Sequence, residues 1–403
     1  MSDTADPAWR RNQRVMVATV FVVFMGFAFV LPFLPLYVRE LGVADDATAA
    51  LWAGILIGTA PLVAGLMAPI WGRLADRHGQ KLIALLALGA YVVFLALSAL
   101  ARTPLELLGL RMGIGLFGGI GPLSLAMASA GAPKGRTGQA VGAVQAAQIL
   151  AAAVGPLVGG TLADLVGMRQ SFLVTAAICA SAWGLVLLGF REPRGGEIGA
   201  VPAAGAPKKG SISAVLRLPE VASVVVVLFF VNFIGRSFTP ILPLQLEQLG
   251  VDAGRLALHT GALISAYAVA AATSAMLAGK LARARSPRAM LLASLAAGGL
   301  TVLPIAYVTS FAQFVALGVT FGLASGGSLT LCYTLGSQSA PGHSRATAFG
   351  VLASAALFGG AVSPSVAGFL ARWDLRGIYY LDAAIYAGLV VFALAFVPKH
   401  RNG

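Results

Sequence analysis

The chain has 403 residues, of which 58% are hydrophobic and only 11% charged, and its formal net charge is +13. Because soluble domains carry about 25% charged residues, this composition excludes a water-soluble globular protein and indicates one that lies in the lipid bilayer. The two cysteines, Cys179 and Cys332, lie inside apolar stretches, which predicts small packing residues rather than a disulfide framework.

Twelve apolar runs follow one another along the chain, and each is long enough for a spanning helix, which needs about 20 residues. Transmembrane strands would be about 10 residues long and alternate in polarity, and these runs do not alternate. The sequence therefore predicts an all-α integral membrane protein with twelve transmembrane helices, the first of them retained rather than cleaved as a signal peptide. The runs cover approximately residues 15–38, 51–71, 82–101, 104–130, 139–162, 170–190, 220–244, 259–279, 289–309, 311–336, 346–370 and 377–397.

The basic residues are distributed unevenly between the two sides of these runs. Of the 28 Lys and Arg residues, 20 fall in the terminal tails and the even-numbered loops, two lie inside runs, and six fall in the odd-numbered loops. The positive-inside rule then predicts that both termini are cytoplasmic. We therefore expect the positive charge to contact anionic lipids of the cytoplasmic leaflet of the cell (plasma or inner) membrane, and we expect no nucleic acid partner.

A polar segment rich in Gly, Pro and charge covers residues 191–219 and predicts a flexible cytoplasmic linker. It divides the chain into an N-terminal six-helix bundle, residues 1–190, and a C-terminal one, residues 220–403. The two parts resemble each other with an offset of 208 residues, which pairs Pro32 with Pro240. Such a repeat suggests pseudo-symmetric bundles with a site between them near the membrane midplane.

A short basic stretch joins the second and third apolar runs and reads Gly72-x-x-x-Asp76-Arg77-x-Gly79-x-Lys81. Its length predicts a tight turn between two hairpinned helices, where an acid can interact with the positive N-terminal end of a neighbouring helix. The stretch resembles the loop signature of the major facilitator superfamily, whose acid and basic residues latch the two halves together in the outward-open state. The resemblance implies that role for Gly72, Asp76, Arg77 and Gly79. The alternative is a charged turn that only fixes the topology.

The fifth run contains Gly155-Pro156-x-x-Gly159-Gly160, preceded by Ala151. A proline removes one backbone hydrogen bond and bends a helix, and glycines let a facing helix approach closely. The stretch resembles the superfamily signature of antiporters, mostly drug–proton exporters, with Ala151 in place of its first glycine. The alternative for Gly155, Pro156, Gly159 and Gly160 is ordinary packing of small residues.

A polar face in the seventh run contains Asn232 and Arg236, which lie one helical turn apart. Both side chains could contact substrate in an aromatic cavity, or they could fix the bundle through interhelical hydrogen bonds. Phe233 in the same run and Phe24 in the first are further cavity candidates, since lipophilic substrates favour aromatic walls. The alternative for such aromatic residues is packing or contact with lipid.

Three ionisable residues are candidates for proton coupling, because a charge inside a membrane is costly and usually functional. The stretch from Arg111 to Gly115 resembles a superfamily motif associated with proton transfer, with Ile114 where glutamine is usual; the alternative is a structural partner. Asp382 lies about five residues into the twelfth run and Glu106 at the start of the fourth. A proton carrier must be desolvated, which favours Asp382 by depth, while the alternative is an interfacial acid near the outer headgroups.

Along its whole length the sequence resembles the twelve-helix drug–proton antiporters of the superfamily. This implies a monomeric secondary transporter that exports lipophilic or amphiphilic small molecules by alternating access, driven by the proton gradient without a cofactor. The alternatives on the same scaffold are a lipid or glycolipid flippase and a sugar or metabolite exporter. The chain has no phosphate-binding loop and its four His residues are scattered, so we expect neither an ATP-driven pump nor an enzyme nor a metal site.

Overall fold

The computed structural model describes residues 7–118, 120–130, 132, 136–191, 217–282, 284–339 and 345–397. These residues form helices joined by short connections, with no strand among them, which confirms the predicted all-α class. Eleven helical segments in this part of the chain are long and apolar enough to cross a membrane.

The described helices form two sets, which we call the first half (α1–α8) and the second half (α9–α16). Most of the predicted linker, residues 192–216, lies outside the described part. The first half contains α1 (Pro7–Phe29), α2 (Leu34–Glu40), α3 (Asp46–His78), α4 (Gln80–Ser98), α5 (Pro104–Leu116), α6 (Ile120–Ala130), α7 (Thr137–Val166) and α8 (Met168–Gly189). The second half contains α9 (Pro219–Ser237), α10 (Leu242–Gln248), α11 (Leu256–Leu281), α12 (Pro287–Val302), α13 (Phe311–Ser325), α14 (Gly327–Ser339), α15 (Arg345–Leu370) and α16 (Gly377–Phe396), with 3₁₀ turns at Ala253–Arg255 and Leu303–Tyr307.

The first apolar run of each half is broken into two helices. In the first half, α1 ends at Phe29 and α2 begins at Leu34, with Pro32 in the break. Pro240 occupies the equivalent break between α9 and α10. A proline has no amide hydrogen and its ring clashes with the preceding turn, so the backbone hydrogen-bond ladder stops there. The single helix predicted for each run is therefore two helices in the structure.

The predicted fourth span, residues 104–130, is also interrupted, because α5 ends at Leu116 and α6 begins at Ile120. A Cβ at Gly118 would lie 2.7 Å from the Ala64 Cβ of α3, so the glycine lets the chain pack against α3 at the break. With 13 and 11 residues, neither α5 nor α6 is long enough to cross a bilayer alone. The twelfth span is therefore not confirmed by helix length.

The connection between α3 and α4 is shorter than the sequence predicts. The helix α3 continues to His78 and α4 begins at Gln80, so the stretch from Gly72 to Arg77 is helical. Only Gly79 forms the turn, and its φ of 92° lies in the left-handed region that glycine adopts without strain. The predicted turn over the whole motif is wrong, because Leu, Ala and Arg favour helix and the helix propagates until a glycine ends it.

The alternating helices define two ends of the bundle. At one end the Asn12 side chain donates a 2.6 Å hydrogen bond to the Arg191 carbonyl, and Lys81 Nζ donates to the Leu187 and Phe190 carbonyls, both at 2.8 Å. We call this the linker end, because the chain leaves the first half there. The opposite end contains the α2–α3, α7–α8 and α15–α16 connections, and we call it the distal end.

The two halves meet along two pairs of helices, α3 with α15 and α7 with α11. Glycines allow the closest approaches: a Cβ at Gly58 would overlap the Ala361 carbonyl oxygen, and a Cβ at Gly160 would overlap the Ala257 carbonyl oxygen. Each of these four residues lies in the half of its helix that is nearer the distal end. Backbone contact therefore holds the two halves together on the distal side.

Candidate functional site

An ion pair joins the two halves at the distal end. Arg39 Nη1 of α2 lies 2.6 Å from Glu247 Oε2 of α10, and Arg39 Nε lies 3.5 Å from Asp46 Oδ1. The hydrogen bond to Glu247 raises the pKa of the Arg39 guanidinium, and partial burial opposes this effect. The two paired side chains are 33% and 38% exposed, so water screens the attraction and the pair contributes at most about 1 kcal/mol.

A second set of polar contacts joins the halves where α7 meets α11. Asp164 Oδ2 accepts a 2.8 Å hydrogen bond from the Leu258 amide in the first turn of α11. The Leu157 amide donates a 3.1 Å hydrogen bond to Ser265 Oγ. The first amides of a helix lack intrahelical partners and carry the positive end of its dipole. The Asp164 carboxylate of the first half therefore caps a helix of the second half.

The predicted antiporter motif packs α7 against two neighbours. Gly155 and Gly159 face α1 of the same half, where a Cβ at either position would collide with α1. Gly160 faces α11 of the other half, and the Pro156 carbonyl contacts Gly261 there. The small residues of the motif thus bring α7 into backbone contact with a helix from each half.

Arg236 is exposed and lies in the last turn of α9. Its neighbours Ile234 and Ser237 are fully buried, so only a narrow side of the helix is accessible. The Arg236 Cγ lies beside Gly360 of α15, and Tyr267 of α11 interacts electrostatically with the guanidinium. Both α11 and α15 contact the other half, and we infer from this that Arg236 faces a space between the halves, which we call the central cavity.

Not all of the other residues predicted to line the cavity lie beside Arg236. Asn232 lies on the same face one turn earlier, is partly buried, and donates a 3.0 Å hydrogen bond to the carbonyl four residues before it. Phe233 is buried within the second half, and Phe24 is partly buried on α1 of the first half. The structure therefore brings Asn232 and Arg236 together, while Phe233 belongs to the packed core.

Asp382 is sealed inside the second half. It is 0% exposed on α16, and its Oδ2 accepts a 2.5 Å hydrogen bond from Ser237 Oγ of α9. Its Oδ1 is also buried and has no hydrogen-bond partner among the described residues. Tyr379 and Tyr386, which are almost fully buried, lie one turn to either side of it on α16. This interior placement differs from the headgroup position that was the alternative for Asp382.

Arg111 is buried in the first half with 5% exposure, and it interacts electrostatically with Tyr91 of α4. Its Nε and Nη2 atoms are buried and make no hydrogen bond within the part of the chain that the structure describes. The alternative role for Arg111 was a structural one, in which the guanidinium pairs with another residue. No such partner is seen at these two atoms. Arg111 and Asp382 belong to different halves, so the structure does not bring these two coupling candidates together.

Glu106 caps the helix in which it lies. Its Oε2 accepts a 2.8 Å hydrogen bond from the Arg102 amide, and its own amide donates a 3.2 Å hydrogen bond to Thr103 Oγ1. A Thr at the N-cap and a Glu three residues later have the spacing of a capping box, and here the Glu accepts from the amide of the residue before the N-cap. Glu106 is exposed at the distal end, so its position favours local stabilisation of α5 over proton transfer through the interior.

The chain is similar to known membrane transporters along its length. Residues 16–258 and 224–403 match the family model described as Major Facilitator Superfamily. The chain belongs to the major facilitator superfamily. It is 32% identical over 336 residues to the multidrug resistance protein MdtG of Dickeya zeae (strain Ech586), covering 83% of this chain and 81% of that protein. It is 29% identical over 403 residues to the MdtG of Proteus mirabilis (strain HI4320), covering 98% of both.

Two solved transporters share the fold of this major facilitator. A bacterial homolog of the human lysosomal transporter Spinster, in an inward-facing and occupied conformation, aligns with a TM-score of 0.81 and 18% identity over 97% of both chains. A D-xylose–proton symporter aligns with a TM-score of 0.76 and 14% identity, covering 96% of this chain and 98% of that one. At these identities the likeness concerns the fold alone. With its eleven candidate spans, this major facilitator is a multi-pass protein of the inner membrane.

The predicted latch of this major facilitator lies on the last turns of α3 at the linker end. Arg77 is exposed there and Gly79 makes the turn, whereas the Asp76 side chain lies outside the description. The role of the motif from Gly72 to Gly79 therefore stays a prediction.

Sequence reasoning missed several residues that position the site. Asp164 escaped notice because the predicted fifth run ended at residue 162, before the helix does. Ser237 and Tyr267 carry no signal of their own, because a hydroxyl in an apolar run is common in membrane helices. The ion pair could have been found, since Arg39 and Glu247 are 208 residues apart, which is the repeat offset, and have opposite charges.

Proposed function

We propose that this chain exports lipophilic or amphiphilic small molecules in exchange for protons, by alternating access to one cavity between its two halves. The accessible Arg236, beside backbone contacts that join the halves on the distal side, is the observation that carries the proposal. Alternating access requires a polar site that is reached from one side while the other side is closed. The multidrug resistance names of the relatives support drugs as the cargo.

The proposal includes twelve spans, with α5 and α6 together forming the fourth. Residues 104–130 would extend about 40 Å as helix, which exceeds the roughly 30 Å of the hydrocarbon core. Twelve spans would put both termini on the same side of the membrane, and the excess of basic residues supports a cytoplasmic linker end. Residues 1–190 and 220–403 would then form two six-helix bundles joined by the linker at 191–219.

We assign the proton-carrying role to Asp382 and infer that Arg111 contributes to coupling from the first half. A carrier has to be shielded from bulk water in at least one state. The full burial of Asp382, its hydrogen bond with Ser237 and its electrostatic interaction with two tyrosines of its own helix support this role. Glu106 is the weaker candidate, since it is exposed and caps α5. We expect the proton gradient alone to drive transport, in a monomer among membrane lipids, without a cofactor, a metal ion or enzymatic activity.

The two family motifs complete the proposed cycle. The glycines and proline from Gly155 to Gly160 would let α7 stay in contact with α1 and α11 while the halves rock. In the opposite state the distal contacts would part and the linker end would close. The motif from Gly72 to Gly79, with Asp76 as its acid, would then latch the linker end.

The test is dye transport into inside-out membrane vesicles, with and without an imposed proton gradient. We expect uptake of a lipophilic dye that stops when the gradient is collapsed, and loss of gradient-driven uptake in Asp382→Asn. Glu106→Gln is the matched control, because the amide oxygen can still accept the capping hydrogen bond. Dye uptake that does not depend on the proton gradient, or no uptake of any dye in a broad panel, would contradict proton-coupled export. A panel that includes a fluorescent lipid and a labelled sugar separates it from a flippase or a sugar exporter.

A further inference from the structure

The membrane-spanning helices contain almost no acid that could meet a substrate. The chain has 15 Asp and Glu residues, and in the described helices only Asp382 lies more than one turn from a helix end. That carboxyl group is 0% exposed and bonded to Ser237. Asp164, near the distal end of α7, accepts a hydrogen bond from α11. The central cavity therefore has no accessible interior carboxylate among the residues that the structure describes.

The central cavity does contain an accessible cation. Arg236 is exposed, and the ion pairs found in the described part of the chain both involve Arg39, so no acid neutralises it there. Its neighbours are the Tyr267 ring system of α11 and the backbone at Gly360. A fixed charge in a cleft with low-dielectric walls focuses the field and raises the local concentration of the opposite charge. The cavity thus favours anions and disfavours cations.

An apolar surface continues from Arg236 along the same helix. Phe229 lies seven residues before Arg236 and Asn232 lies four before it, so all three share one face of α9. Phe229 is partly buried, and its carbonyl contacts the backbone at Gly359 of α15. Seven residues of helix place the aromatic ring about 10 Å from the guanidinium. That spacing suits a molecule with a charged head and an apolar body.

We propose that the central cavity selects amphiphilic monoanions, in which one carboxylate is attached to an apolar body, and that Arg236 binds the carboxylate. The inference rests on the proposed export function for the direction of transport, while the binding step stands on the geometry of α9. The planar guanidinium offers two parallel donors that match a carboxylate. Asn232 adds a side-chain amide on the same face, and the apolar body would lie along Phe229 toward the linker end.

The experiment compares three probes that share one dansyl reporter and one undecyl chain. The first ends in a carboxylate, the second in its methyl ester and the third in an amine. Binding is measured by fluorescence with the full chain in nanodiscs of neutral lipid. We expect the wild type to bind the carboxylate most tightly, and Arg236→Gln to weaken carboxylate binding about 10- to 100-fold, as loss of a charge-assisted hydrogen bond predicts. The ester should bind equally well to both proteins.

The control is Arg102→Gln, which removes an equal charge from an exposed loop at the distal end and should leave all three affinities unchanged. Retained thermal stability shows that Arg236→Gln is folded. Tighter binding of the amine than of the carboxylate by the wild type, or equal weakening of all three probes in Arg236→Gln, would overturn the proposal. Uptake of the probes into inside-out vesicles tests the proposed export function separately from binding. If the carboxylate binds through Arg236 but is not transported, recognition stands and the export function fails.

Discussion

Removing the Asp164 carboxylate should shift the protein toward a state that is open at the distal end. Asp164 belongs to α7 of the first half, and the amide it accepts from belongs to Leu258 of the second half. The contact therefore exists only while the distal sides of the two halves are closed. Its free energy enters the equilibrium between the closed and open states in full, and it does not enter the stability of either half.

The magnitude follows from the two interactions that the carboxylate makes. A charge at a partly buried helix N-terminus contributes about 1 kcal/mol, and an accepted hydrogen bond at such a position contributes about another 1 kcal/mol. Asp164→Asn keeps an acceptor oxygen and loses the charge, so the ratio of closed to open molecules should fall about fivefold. Asp164→Ala loses both interactions, so that ratio should fall about 30-fold, since 1.4 kcal/mol corresponds to tenfold.

The measurement is the distance between spin labels at Arg102 and Tyr307, which are exposed distal residues of the two halves. The labels are placed in a variant without the two native cysteines, which are both buried. We expect a longer distance to gain population in the order wild type, Asp164→Asn, Asp164→Ala. Asp374→Asn is the matched control, because the Asp374 carboxylate lies at the distal end and accepts its hydrogen bond from the Arg376 amide of its own half. Wild-type distances in Asp164→Ala, or an equal shift in the control, would refute the reasoning.

Two further predictions concern the two ends of the bundle. Asp76→Asn should strongly reduce transport in the vesicle assay without changing thermal stability, because it removes the only acid of the latch motif; wild-type transport rates would contradict the latch. Reversing the distal ion pair with Arg39→Glu and Glu247→Arg together should restore part of the transport that either single change loses, because opposite charges meet again in a partly exposed pair, while the new acid at position 39 lies beside Asp46. Additive losses in the double variant would show that the pairing itself does not matter.

Helix class follows from the sequence more readily than helix continuity. Apolar runs of about 20 residues force the backbone to satisfy its own hydrogen bonds, and within the described residues the structure is helical over most of the length of these runs. The break between Leu116 and Ile120 is invisible to hydropathy, because the residues within it are as apolar as those around it. The breaks at Pro32 and Pro240 could have been predicted, since proline cannot donate to the helix ladder.

The site residues differ in how far sequence could place them. The sequence shows how far along its helix Asp382 lies, but it does not show on which face of the helix the side chain lies. That face decides whether the carboxyl group is in the protein interior or near the lipid headgroups. The capping role of Glu106 was readable, because Thr103-x-x-Glu106 is a capping-box pattern. The partner of Asp164 could not be predicted from the sequence. Leu258 is 94 residues away along the chain and contacts Asp164 only because the two halves pack together.

The ion pair at the distal end carries information about the symmetry of the fold. Arg39 and Glu247 are separated by 208 residues, the offset that also relates the prolines of the two repeats, so they occupy equivalent positions in the two halves. Two equivalent residues related by a two-fold rotation can touch each other only at the rotation axis. The pair therefore marks where the pseudo-two-fold axis leaves the distal end. Like charges at these positions would repel each other on the axis, so the repeats have to differ here if the distal end is to close. The opposite charges of Arg39 and Glu247 meet this requirement, and they do so at the point where the two halves separate when the distal end opens.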